Sequence, residues 1–243
     1  MATQLAFALE NAGFQIRQVY SRSVESAEKL ASDIHTDFTT NIKDIILDAD
    51  LYIISVTDDA VELLANGLNF NDKLVVHTSG SLPMDVIKNL STNFGVFYPL
   101  QTFSKTRKVD FKSIPICIEA NSSDNENRLL DLGFSISENV QRIKSEKRKI
   151  LHLAAVFACN FPNFMYTIAA QILEKNKLDF KFLKPLIKET AAKVQTINPV
   201  DAQTGPAKRG DIKIMNQHLE LLTDSPEFKD IYKLISSEIQ KNQ

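Results

Sequence analysis

Leu51-Tyr52-Ile53-Ile54-Ser55-Val56 is an almost unbroken apolar run. Such a run suits a strand buried on both faces, as in a parallel sheet covered by helices. The pattern repeats outward from it. Upstream, Met1–Asn11 carries Leu5, Ala6 and Leu9 at helical spacing, with Gly13 placed to end the helix. Phe14–Tyr20 has a strand rhythm, Ser23 can cap a helix through about Ser32, and a short helix is expected near Ile42–Leu47. Downstream, a helix from about Asp59 to Asn66 leads to a short buried strand, Lys73–His77, and Pro83 can start the next helix. Gly95–Tyr98 and Ile114–Ile118 read as further strands, and Ser122 or Ser123 can cap a helix to Leu132. Strands alternating with helices predict a parallel α/β sheet with helices on both faces.

The pattern changes near Gln141. From Ser145 on, only long helical patterns remain: 145–175, 180–197, 211–222 and 226–239. The chain is therefore expected to divide into an α/β domain, 1–142, and an all-α domain, 143–243. Pro162 should kink the first long helix. That helix contains the most apolar stretch, Ile150–Ile172, but His152, Asn160 and Asn163 interrupt it, so it reads as a buried helix rather than a membrane span. Lys144–Lys149 reads as a solvated first turn.

Composition narrows the function classes. With 28 basic and 30 acidic residues, no broad electrostatic footprint for nucleic acid exists. The two cysteines, Cys117 and Cys159, make neither a disulfide framework nor a metal motif, and their apolar neighbours suit small buried thiols. No signal or lipidation motif marks the N-terminus, so a soluble cytoplasmic protein is expected. Only seven glycines occur, so a glycine-dependent ligand loop has few places to be.

Five segments carry candidate chemistry. Tyr20-Ser21-Arg22-Ser23 follows a helix and a strand, like the second half of a dinucleotide-binding unit. An acidic residue there would bond a ribose 2′-hydroxyl, whereas Arg22, with Ser21 and Ser23, suits a 2′-phosphate. The bland alternative is a solvated turn. The first half of the unit, a strand and G-x-G-x-x-G loop, does not precede Met1; Ala2 fits the loop's last position. A start displaced from the true one and a degenerate domain both explain this, and losing a central strand should leave a gap between its neighbours. The ends of the strands then matter, because ligands bind outside them. Val56 and Thr57 are assigned to the cofactor. His77 and Ser79, beside Gly80, and Gln101 and Thr102, beyond the next strand, are assigned to substrate, each against the alternative of an ordinary turn. On the long helix, His152 and Asn163 project about 20° apart and Asn160 about 80° from His152. Buried polar groups need partners, and histidine is the usual acid–base residue near neutral pH; a satisfied core histidine is the competing reading. Finally, Thr204–Asp211 holds two glycines and Arg209, a candidate anion contact, while Asp211 can simply cap the next helix.

Val75–Ser81, Gly95–Ser104, Leu151–Phe161, Glu189–Val194 and Gln203–Asp211 together resemble a bacterial family that joins a Rossmann-like NADP-binding domain to a helical domain of unknown function. Its members are labelled NADP oxidoreductases, of deazaflavin-dependent type, and are similar in plan to pyrroline-carboxylate reductase and the 6-phosphogluconate dehydrogenase group. The resemblance implies NADP as cofactor, hydride chemistry on a small metabolite held between the domains, and a homodimer through the helical domain. It supports Ser21 and Arg22 as 2′-phosphate contacts. His152 is then the expected acid–base residue, Asn160 and Asn163 orient substrate, and Arg209 meets its anionic group; no metal is implied. The alternatives are a non-catalytic metabolite-binding regulator with a degenerate cofactor loop, and a structural dimerisation partner.

Overall fold

The computed structural model describes residues 1–65, 67–104, 107 and 109–242. The chain divides into two compact units, Met1–Cys159 and Asn160–Gln243. The boundary lies beyond the expected 142/143, because the first turns of the long helix are built into the α/β unit through Arg148.

The first unit opens with α1 (Ala2–Asn11). Gly13, at φ 90°, ends it: Gly13 N–H bonds Glu10 O and Phe14 N–H bonds Leu9 O, the paired closure that favours glycine. Strand β1 (Gln18–Tyr20) follows, then α2 (Val24–Asp33), capped by the Ser23 hydroxyl on Ser26 N–H, then β2 (Asp37–Thr39). Next come a 3-10 turn at Ile42–Asp44, β3 (Leu51–Ile54) and α3 (Asp58–Leu64); the expected end of that helix at Asn66 lies outside the described residues. Strand β4 (Leu74–His77), a 3-10 turn after Pro83, β5 (Asn93–Pro99), β6 (Ile116–Ala120), α4 (Ser123–Phe134) and β7 (Val140–Arg142) complete the layer. Ser122 caps α4.

The strands form two sheets rather than one: β1–β2, and a second in the order β3-β4-β5-β6-β7. In a doubly wound sheet of order 3-2-1-4-5-6, one strand would pair with both β1 and β3. The break falls there, where a gap was expected. The second sheet is mixed: β3, β4 and β5 run parallel, but β6 is antiparallel to β5 and parallel to β7. The expected parallel sheet is present over β3–β5, and β6 departs from it by running antiparallel to β5. One face buries Val76, Phe97, Ile116 and Ile118 against Leu5 and Leu9 of α1 and Leu129 of α4; the other buries Val75 with Val61, Ile87 and Leu90.

The long helix is α5 (Ser145–Ala155), a π-helical turn at Val156–Asn160, and α6 (Phe161–Lys175). Pro162 has no N–H to bond the carbonyl four residues back, and its ring crowds that carbonyl. The widened turn just before it takes up this conflict. By length and composition this helix could cross a membrane, but no part of its most apolar window is buried. The expectation of a buried helix is thereby overturned: Leu153, Phe157, Phe161 and Phe164 are all exposed. Cys159 is exposed as well, whereas Cys117 is buried as expected.

The second unit continues through α6 with α7 (Lys184–Lys193), the short α8 (Pro199–Ala202) and α9 (Pro206–Arg209), α10 (Ile212–Leu221) and α11 (Pro226–Lys241). It is all helical, as expected. Asp211 caps α10 through Ile214 N–H. His218 of α10 pairs with Tyr232 of α11, Nδ1 to hydroxyl, at 2.9 Å.

Candidate active site

The carboxyl ends of β3, β4 and β5 lie along one edge of their sheet. At the end of β4, His77 is fully buried. Its Nδ1 accepts Ser79 N–H at 3.1 Å, so its proton sits on Nε2, which donates to Pro83 O at 3.2 Å. Burial, helped by the Arg148 charge, pushes its pKa down to about 4, so the ring is neutral near pH 7. Both nitrogens of His77, expected at the substrate, are bonded inside the chain. Ser79, also expected at the substrate, is likewise bonded within the chain. Its buried hydroxyl accepts N–H bonds from Ser81 and Leu82 and lies 3.2 Å from the Ser81 hydroxyl. Ser81 in turn bonds the carboxylate of Asp58, in the first turn of α3. The two residues shape the turn around Gly80.

Gly80 is where the chain comes closest to candidate chemistry. A Cβ there would lie 2.7 Å from His152 Nδ1 and 2.8 Å from Tyr98 Cζ. Tyr98, near the end of β5, is buried, and its hydroxyl lies 2.9 Å from His152 Nδ1. The rings meet edge to face at 6.0 Å and 72°. Burial raises the Tyr98 phenol to about 12, so it keeps its proton. His152 is only partly buried. The histidine singled out on the helix is thus a half-exposed imidazole held by a buried phenol over a glycine.

What holds this helix in place is Arg148, one turn before His152 and with 0% of its surface exposed. Nε donates to Ser79 O at 3.2 Å, and one terminal nitrogen to Leu82 O at 2.6 Å and the Ser145 hydroxyl at 3.2 Å. The other pairs with Glu119 of β6 at 2.7 Å. Burial alone would push the Glu119 carboxyl up, but hydrogen bonds from Ser145 and Arg148 and the guanidinium charge hold it below the usual carboxylate range. The 144–149 run is solvated at Lys144, Glu146, Lys147 and Lys149, as expected, but not at Ser145 and Arg148, which are buried.

The remaining assigned residues are scattered. Gln101 and Thr102 are exposed and bonded to each other, Thr102 N–H to Gln101 Oε1 at 2.8 Å, with no contact to His152 among the described residues. Asn160 and Asn163 are exposed. Arg209 is exposed at the end of α9 and has no acidic partner among the described residues. Neither Tyr98 nor Arg148 stands out in the sequence. The signal for Arg148 was its i, i+4 spacing to His152; for Tyr98 it was a strand-end position level with Gly80. No cluster of metal-ligating side chains occurs among the described residues.

Comparison with known proteins agrees with this layout. Residues 1–80 match the family described as "NADP oxidoreductase coenzyme F420-dependent". Residues 114–239, just over half of the chain, match "Domain of unknown function (DUF2520)". The chain belongs to the DUF2520 family. Among solved structures, this DUF2520 protein is similar to "putative NADP oxidoreductase BF3122" from Bacteroides fragilis, at 46% identity over 99% of this chain and 94% of that one, TM-score 0.94. It is also similar to protein TM1727 from Thermotoga maritima, at 25% identity over 97% and 95%, TM-score 0.77. A 1-pyrroline-5-carboxylate reductase from Streptococcus pyogenes shares the fold at 13% identity over 98% and 95%, TM-score 0.60. No curated protein matches.

The cofactor of this oxidoreductase family is NADP, and the side chains at the end of β1 fit its 2′-phosphate. Arg22 is exposed and has no acidic partner among the described residues. Beside it, Ser21 Oγ accepts Ser23 N–H, which fixes the turn, and Ser23 caps α2. Val56 and Thr57 are exposed beyond β3, and Ala2 is exposed at the start of α1.

Proposed function

We propose that this DUF2520 protein catalyses NADP-dependent reduction or oxidation of a small anionic metabolite, with His152 as the proton-handling residue. The observation that carries the reading is the His152–Tyr98 pair over Gly80, at the edge where open α/β sheets bind ligands. NADP supplies the hydride chemistry when bound. Arg22 would hold its 2′-phosphate, and Arg209 supports an anionic substrate. Replacing Arg22 removes the charged fork that favours a 2′-phosphate over a bare hydroxyl. Arg22→Ala should therefore weaken NADPH binding about tenfold, the loss of roughly 1.4 kcal/mol, and leave NADH binding unchanged. Fluorescence titration of both cofactors reads this directly; equal NADPH affinity in the two proteins would remove Arg22 from the site.

The same reading includes a cytoplasmic homodimer through the helical unit. Among the described residues of that unit only Ala207 and Ser236 are buried, while Phe182, Leu186 and Leu234 each leave more than 60% of their surface in water. A helical unit this open needs a second apolar surface. A second copy of the chain supplies an identical one. Sedimentation at micromolar concentration should give a dimer without detergent; a stable monomer, or a need for detergent, would sink the proposal.

A further inference from the structure

The Tyr98–His152 contact has a direction. The Tyr98 hydroxyl has one hydrogen and, among the described residues, one hydrogen-bond partner, His152 Nδ1. If Nδ1 carried the imidazole proton, that hydrogen would have to turn into the packing around a side chain that is 5% exposed. An unpaired buried donor there costs about 1–3 kcal/mol. Donation from Tyr98 to Nδ1 satisfies both groups. Because the phenol stays protonated until about pH 12, the donor is present at any working pH.

We infer that Tyr98 is a positioning residue that fixes His152 as its Nε2–H tautomer, so that the imidazole offers substrate a hydrogen-bond donor. This rests on the oxidoreductase reading and sharpens its substrate class. The group met at His152 is a lone-pair acceptor, as a carbonyl oxygen is, and not a hydroxyl presenting its hydrogen. A carbonyl oxygen gains negative charge as its carbon is reduced, and a donor fixed beforehand stabilises that charge without reorganising. Gly80 belongs to the same device, because a side chain at that point would push the two rings apart. His77 shows the turn using the same principle in its interior: there a backbone N–H occupies Nδ1 and the proton is held on Nε2.

The test is the nitrogen spectrum of the full chain labelled with ¹⁵N-histidine at pH 7.5. Four histidines give few signals, and His152→Gln identifies the one that matters. In the unaltered protein, His152 should show an unprotonated Nδ1 and a protonated Nε2. In Tyr98→Phe, both His152 nitrogens should shift toward the averaged positions of mixed tautomers, while His77 stays as it was. A protonated Nδ1 in the unaltered protein overturns the inference, and needs no variant to detect. Unmoved His152 signals in a folded Tyr98→Phe, judged by its amide spectrum, also overturn it. Absence of NADPH binding with the expected tautomer in place would instead remove the oxidoreductase reading and leave the positioning role standing.

Discussion

Gly80→Ala should abolish the site while leaving a folded protein. The new methyl carbon would sit 2.7 Å from His152 Nδ1, 2.8 Å from His152 Cγ and 2.8 Å from Tyr98 Cζ. Carbon–nitrogen and carbon–carbon contacts want roughly 3.5 Å or more, so one ring must leave. Tyr98 cannot be the one. It lies in β5, between β4 and β6, and packs with Val96 and Cys117. His152 is half-exposed at the other side of the contact, so it swings out and the hydrogen bond breaks. A misplacement of about 1 Å at a reacting group costs on the order of 100-fold in rate, and the overpacking should cost about 1–3 kcal/mol of stability. Turnover, melting temperature and the His152 nitrogen signals measure the three effects. A Gly80→Ala protein with His152 signals in their original place would show that the turn yields instead. Gly13→Ala is the contrast: nothing lies within 4 Å of that position, so its cost comes only from a φ of 90° and the site should not notice.

The parts of this architecture that could be read beforehand are those whose reason is local. β4 is buried throughout and must be apolar, and β3, partly buried over Leu51–Ile53 and buried at Ile54, is an unbroken apolar run beside it, so Leu51–Ile54 and Val75–Val76 announce themselves. Asp37–Thr39 and Val140–Arg142 do not. Each is three residues long, with polar or charged members, and is a strand only because a neighbour pairs with it. The antiparallel turn of β6 leaves no mark in a sequence either, since it is decided by where Ile114–Ala120 finds its partners. The π turn is intermediate: Pro162 gives a reason for irregularity, but not its form. The site follows the same division. His152 stands out because it interrupts an apolar helix. Arg148 does not, because in Lys144–Lys149 it looks like its solvated neighbours. Its partners, Glu119 on another strand 29 positions earlier and the carbonyls of Ser79 and Leu82, make it different.

That difference gives Arg148 the largest expected effect on stability. In Arg148→Met, Glu119 keeps Ser145 but loses its cation, and the carbonyls of Ser79 and Leu82 lose their side-chain donor. Breaking a buried ion pair from one side typically costs about 3–5 kcal/mol, because the abandoned charge stays buried. Arg148→Lys should recover only part of this, since one ammonium cannot span acceptors that a planar fork reaches together. Arg148→Met with Glu119→Gln should recover more, because the uncompensated charge is gone. Acid separates these explanations. In the unaltered protein Glu119 is held below its ordinary range, so its contribution is present above that range and is lost as the pH falls through its folded pKa. His77 adds the same sign: its folded pKa of about 4 lies under the ordinary 6.5, so stability declines as the pH falls from 6.5 toward 4. In Arg148→Met the influences holding Glu119 down are reduced and burial pushes its carboxyl up. Mild acid then neutralises the stranded charge, and the deficit against the unaltered protein should narrow between pH 7 and pH 4. Urea unfolding of both proteins across that range measures it. A deficit that stays constant would mean that lost packing, not the stranded Glu119 charge, is what Arg148 prevents.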